Sequence, residues 1–181
     1  MRQRLIQLAL VFTLMSVVLT PGASAQDAVA LGTRPFWAGA GFVGVFYAES
    51  GNEFGAMIGG FGYAPIGRVL LGGQGGAVGL GSSEPGGYGL LDVGYFLHTS
   101  PTSQLYVLSG VGGGSDPTPF PLFNVGVGLD VLVAPKITPR GQKGVVVGGR
   151  VGSLITAADG GELAGVYLQV AFGGGKRSRR E

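Results

Sequence analysis

The sequence predicts an all-β chain: a closed antiparallel up-and-down transmembrane β-barrel of eight strands, preceded by a cleavable signal helix. Three observations predict it. First, residues 121–133, P-L-F-N-V-G-V-G-L-D-V-L-V, alternate without a break. Side chains of a strand point to opposite faces in turn. Phe123, Val125, Val127, Leu129, Val131 and Val133 therefore share one apolar face, and Leu122, Asn124, Gly126, Gly128, Asp130 and Leu132 share a small or polar one. The stretch exceeds the roughly 5–6 residues of a soluble strand and reaches the roughly 9–11 needed to cross a bilayer at a tilt. Second, no helical period of useful length follows residue 25, only alternation broken by Gly, Pro, Ser and Asp clusters. Third, the chain has 38 glycines and only 12% charged residues, against a usual glycine share of about 7% and a charged share of about 25%.

The elements follow in order. Residues 1–25 read as an export signal: Arg2 and Arg4, an apolar core over 5–20, a break at Pro21-Gly22, then the small-x-small site Ala23-Ser24-Ala25. The mature chain then starts at Gln26, with a short lead over 26–33, a barrel over 34–175 and a basic tail over 176–181. Strands are expected at 35–48, 53–63, 68–80, 88–97, 104–113, 121–133, 144–155 and 162–172. Turn residues divide them: Ser50-Gly51-Asn52, Ala64-Pro65-Ile66-Gly67, S-S-E-P-G-G over 82–87, 99–103, 114–119 and 157–161. The connection 134–143 is expected to be the longest.

Composition narrows the function. There is no cysteine, so disulfides and cysteine-based metal sites are excluded. Loss of Arg2 and Arg4 with the signal leaves ten basic and ten acidic residues, so the high isoelectric point is no argument for nucleic-acid binding. The second strand face carries Gly, Ala, Phe and amides, with only Asp92, Asp130 and Arg150 as charges. That is too little charge for a water-facing surface. It suits a narrow closed interior with the apolar face toward lipid, where closure satisfies every backbone group. Trp37, Tyr47, Tyr63 and Tyr88, near strand ends, are expected to form interfacial girdles. With eight strands both termini share one end. Glu49, Glu53, Glu84, Asp116, Asp159 and Glu162 fall at the far end, and Arg34, Arg68, Lys136, Arg140, Lys143, Lys176, Arg177, Arg179 and Arg180 at the terminal end, opposed only by Asp27 and Glu181.

In architecture the region 34–175 resembles the small eight-stranded outer-membrane β-barrels of Gram-negative bacteria, of the OmpA transmembrane-domain and OmpX type. The last strand, G-V-Y-L-Q-V-A-F over 165–172, looks like the assembly signal of such barrels, through Gly165, Leu168, Val170 and Phe172. The resemblance implies an outer-membrane location in a Gram-negative-type bacterium, contact with outer-membrane lipid, and handling by the insertion machinery.

No reaction centre stands out. Gly39-Ala40-Gly41-Phe42-Val43-Gly44 matches G-x-G-x-x-G but lacks the following helix that a dinucleotide site requires. His98 is the only histidine, beside Thr99 and Ser100 at a turn, and is read as a solvated residue. Asp92, Asp130 and Arg150, with Asn124 and Gln169, are expected to form an interior polar network, because an unpartnered buried charge is costly. Lys136, Arg140, Lys143, Lys176, Arg177, Arg179 and Arg180 are expected at lipid head groups. The expected function is a non-enzymatic integral outer-membrane barrel with a structural or surface-interaction role, monomeric, without cofactor or nucleic acid. A narrow channel or carrier for a small apolar ligand, and a secreted soluble lipid-binding barrel, are the other readings.

Overall fold

A computed structural model describes residues 34–48, 52–80, 85–116, 118–138, 141–156 and 165–178. All eight expected strands are present: β1 Trp37–Ala48, β2 Glu53–Ile66, β3 Val69–Leu80, β4 Gly86–Thr99, β5 Ser103–Asp116, β6 Thr118–Thr138, β7 Gly141–Thr156 and β8 Gly165–Ser178. Each pairs antiparallel with its sequence neighbours, and β8 returns to pair with β1, closing the barrel. No helix occurs among the described residues. The export-signal reading of 1–25 and the lead 26–33 lie outside them.

The register fixes the barrel's size. Perpendicular to the strands, Ala38 pairs with Tyr63, then Gly72, Asp92, Gly110, Asn124, Leu154 and Gly165, and the path returns to the first strand at Ala48. That is a shear of ten residues. With strands about 4.8 Å apart and a rise of about 3.3 Å per residue, eight strands then tilt by about 40°. A barrel of this size has an interior just wide enough for side chains to fill, and Phe42, Phe46, Phe96, Tyr106 and Tyr167 are buried in it. The outer wall is apolar: Leu91 is 74% exposed, Phe54 70% and Ile58 62%, with Val43, Val125 and Val170 among the other exposed residues.

Three expectations need correction. Residues 134–143 do not form a long connection. β6 runs to Thr138 and β7 begins at Gly141, because the hairpin arms keep pairing past a bulge, Lys136 with Lys143 and Thr138 with Gly141. Tyr63 and Tyr88 are not interfacial. Both are buried inside, since Tyr63 shares a face with Met57 and Phe61, and Tyr88 with Leu90 and Asp92. Trp37 does lie on the outer wall, 49% exposed. Finally, β8 continues through the glycines to Ser178, so Lys176 and Arg177 are strand residues rather than tail.

The turn between β2 and β3 is tight. Ile66 pairs with Val69, leaving Gly67 and Arg68 as the two loop residues. Gly67 has φ +62°, which a type II′ hairpin turn asks of its first central residue. The topology puts this turn, the 100–102 turn and the ends of β1 and β8 at one end of the barrel, here the terminal end. Arg34, Arg68, Lys136, Lys143, Lys176 and Arg177 are at that end and Glu53 and Asp116 at the other, while Arg140, Arg179, Arg180 and the acidic Asp27, Glu49, Glu84, Asp159, Glu162 and Glu181 lie outside the described residues.

Candidate functional site: the polar interior and its terminal mouth

Asp92 on β4, Asn124 and Asp130 on β6, Arg150 on β7 and Gln169 on β8 all turn inward and are buried. Alternation alone sends them there. The neighbouring strands make room. Asp92 pairs across to Gly110 and Asp130 to Gly148, and a Cβ on either glycine would overlap the carboxylate oxygen Oδ1.

The interior polar groups form two clusters. In the first, Tyr167 OH donates to Asn124 Oδ1 at 2.9 Å, and Asn124 Nδ2 donates to Asp92 Oδ1 at 3.5 Å. In the second, Tyr63 OH donates to Asp130 Oδ2, and Gln104 Nε2 donates to Tyr63 OH at 2.5 Å. The same Gln104 holds the chain just before β1: its Oε1 accepts from Phe36 N–H at 2.9 Å, and its Nε2 reaches Phe36 O at 3.2 Å.

Arg150 is 3% exposed and does not bond directly to Asp130. Its Nε donates to Tyr106 OH at 2.9 Å, and its guanidinium lies over the Phe61 ring, 3.4 Å from the centroid. The reason lies in the register. Arg150 opposes Gly128, and the Tyr106 ring occupies the space that a side chain on Gly128 would fill. A phenol therefore stands beside the guanidinium where a carboxylate was expected. Asp130 Oδ1 and Arg150 Nη1 remain buried without a hydrogen-bond partner. Gln169 is inward as expected, but its amide donates to Met57 Sδ at 3.6 Å rather than to a charge.

Arg177 is placed quite differently from a head-group contact. It is buried, and its side chain reaches across the terminal mouth to the 100–102 turn. Nη2 donates to Ser100 O at 2.6 Å, and Nη1 to Pro101 O at 2.9 Å and to Gln142 Oε1 at 3.3 Å. The turn has its own lock: Ser100 Oγ accepts from Thr102 N–H at 3.2 Å and Ser103 N–H at 2.8 Å. Replacing Arg177 with Ala should free this turn and cost about 1–3 kcal/mol, as for a buried acceptor left unpaired. Limited proteolysis should then cut near 100–102 faster than in the parent; an equal rate would contradict the clamp.

His98, Ser100 and Asp92 are not brought together. His98 is exposed beyond a bulge in β4, Ser100 is engaged in its turn, and Asp92 is inside the barrel. The motif over 39–44 lies within β1. Sequence reasoning missed Tyr63 and Tyr106 as direct partners of Asp130 and Arg150, and Tyr167 and Gln104 as the groups that hold Asn124 and Tyr63, although each has inward parity on its strand. Comparison with family models finds no match to this chain, nor do comparisons with curated proteins and with solved structures.

Proposed function

We propose that this chain is a non-enzymatic integral outer-membrane β-barrel of the small eight-stranded type, exported through the signal at 1–25, with a structural or surface-interaction role. One observation carries the reading: the wall is inverted. Asp92, Asp130, Arg150 and Arg177 are inside among aromatic and aliphatic side chains, while the large side chains exposed on the outside are mostly Val, Leu, Ile and Phe. A water-soluble barrel covers its outer face with charged and polar residues, and an exposed apolar surface of this extent marks contact with lipid or partners. A closed ring of strands is also the one sheet arrangement that leaves no unpaired edge in lipid. The packed interior and the Arg177 clamp favour a structural role over a conducting one. The partners are outer-membrane lipid and the insertion machinery, with Gly165, Leu168, Val170 and Phe172 as the assembly signal and the monomer as the functional form. In β8, Leu168, Val170 and Phe172 are exposed on the outer wall, where a partner can read them.

The test is gel mobility. Protein extracted from outer membranes should migrate faster unheated than boiled, because a folded barrel resists the denaturing detergent. A single position at both temperatures, together with solubility in water without detergent, would remove this reading.

A further inference from the structure

Lys136, Lys143 and Lys176 stand side by side on the outer wall at the terminal end. Lys136 on β6 is the direct cross-strand partner of Lys143 on β7, which is the partner of Lys176 on β8. Lys176 in turn opposes Trp37 on β1. All four are exposed. Directly opposed residues have Cβ atoms about 4.5–5.5 Å apart, and like charges placed so destabilise a sheet. Among the described residues of β1, β6, β7 and β8 the one carboxylate is Asp130, and it points inside.

The backbone is bent to build this row. Val133 opposes Val145, so an unbroken register would set Pro135 against Lys143 and turn Lys136 inward with Gln142. A bulge between Val133 and Lys136 shifts the register by one and brings Lys136 opposite Lys143. It is accompanied by φ +47° at Ala134, a conformation that costs a residue with a side chain. Bulges commonly re-aim a side chain for use. Here the bulge adds a third positive charge to a row that already repels itself, which makes sense when an anion binds there.

We propose that Lys136, Lys143 and Lys176, with Trp37 at their edge, bind the phosphate of an anionic phospholipid head group. The proposal rests on the membrane-barrel reading above. Trp37 marks the depth, because tryptophan rings favour the membrane–water interface, and the ammonium groups beside it reach the head-group phosphates. Lysine suits this role as a mobile point charge with three donors.

Trp37 is the only tryptophan in the chain, so it reports its own surroundings. The full-length mature protein is placed in phosphatidylcholine vesicles doped with phosphatidylglycerol, with bromine on the acyl chains of one lipid or the other. At equal bromine content, quenching of Trp37 should be stronger when phosphatidylglycerol carries it. Lys136→Gln should lower the preference about fivefold, the equivalent of about 1 kcal/mol per charge. The triple variant K136Q/K143Q/K176Q should lose it, and added salt should weaken it. Ala134→Gly, which accepts the left-handed backbone, should leave it intact. Equal quenching by both lipids in the parent protein would overturn the site while leaving the barrel in the membrane. Absence of quenching by either lipid would remove the membrane reading, and the site with it. Loss of the preference on adding inorganic phosphate at constant ionic strength would assign the row to free anions and overturn the lipid assignment.

Discussion

Replacing Arg150 with Leu is expected to destabilise the barrel by about 3–5 kcal/mol, the cost of breaking a buried charge constellation by removing one sign. Arg150 is the cation of the inner constellation. Asp92 and Asp130 are buried with it, and Arg177, the other buried cation among the described residues, is committed to the turn at the mouth. Without Arg150, both carboxylates keep their hydrogen bonds to Asn124 and Tyr63 but lose the compensating charge, and Tyr106 OH loses its donor. Leu fills much of the space, so the loss is electrostatic rather than a cavity. Arg150→Lys should fall between, because it keeps the charge but not the planar contact with Phe61 or the Nε bond. Adding Asp130→Asn to Arg150→Leu should restore part of the loss, since a neutral amide costs less to bury than an unpaired carboxylate. Urea unfolding of the barrel in detergent micelles, followed by Trp37 emission, measures all three. An unchanged midpoint for Arg150→Leu would show that these carboxylates do not depend on it.

What could be read from the sequence was parity, and it went further than it was taken. Asp92, Asn124, Asp130, Arg150 and Gln169 face inward because each sits on the strand face opposite the outward Val, Leu, Ile and Phe residues. The same parity already put Tyr88 with Asp92, and continued in β8 from Gly165 through Gly173 and Gly175 to Arg177. A run of basic residues looked like a tail at lipid head groups and masked that continuation. The partners were beyond reach for a different reason. Tyr63 reaches Asp130 and Tyr106 reaches Arg150 across 67 and 44 residues of sequence. Which side chains meet across the lumen depends on the shear, and alternation on one strand does not carry the stagger between strands. The 134–143 hairpin was hidden by its own chemistry. Pro135 lacks an N–H and reads as a loop residue, yet it is tolerated in a sheet beside a bulge. Local pattern thus gave the faces and the strand count, while contacts set by the register of the closed ring stayed out of view.

The glycines permit a sharper test of which face is which, because the same substitution should act in opposite directions on the two sides. Gly112 on β5 faces inward. A Cβ there would overlap Gly89 O and come within 2.9 Å of Leu90 Cα, and both are backbone atoms of β4 that cannot swing aside. Gly112→Val should therefore force β4 and β5 apart, at about 3 kcal/mol or more, the upper end for overpacking, and much of the protein should fail to close. Gly89, on β4 just before Leu90, the cross-strand partner of Gly112, faces outward, and a Cβ there would meet nothing within 4 Å. Gly89→Val replaces a flexible residue with a good strand former and adds apolar surface to an apolar wall. It should stabilise by about 0.5–1 kcal/mol. Refolding yield into lipid vesicles, scored by the heat-dependent gel shift, separates the two. If Gly89→Val impaired closure as badly as Gly112→Val, the assignment of inner and outer faces on β4 and β5 would be wrong, and the inverted wall on which the membrane reading stands would go with it.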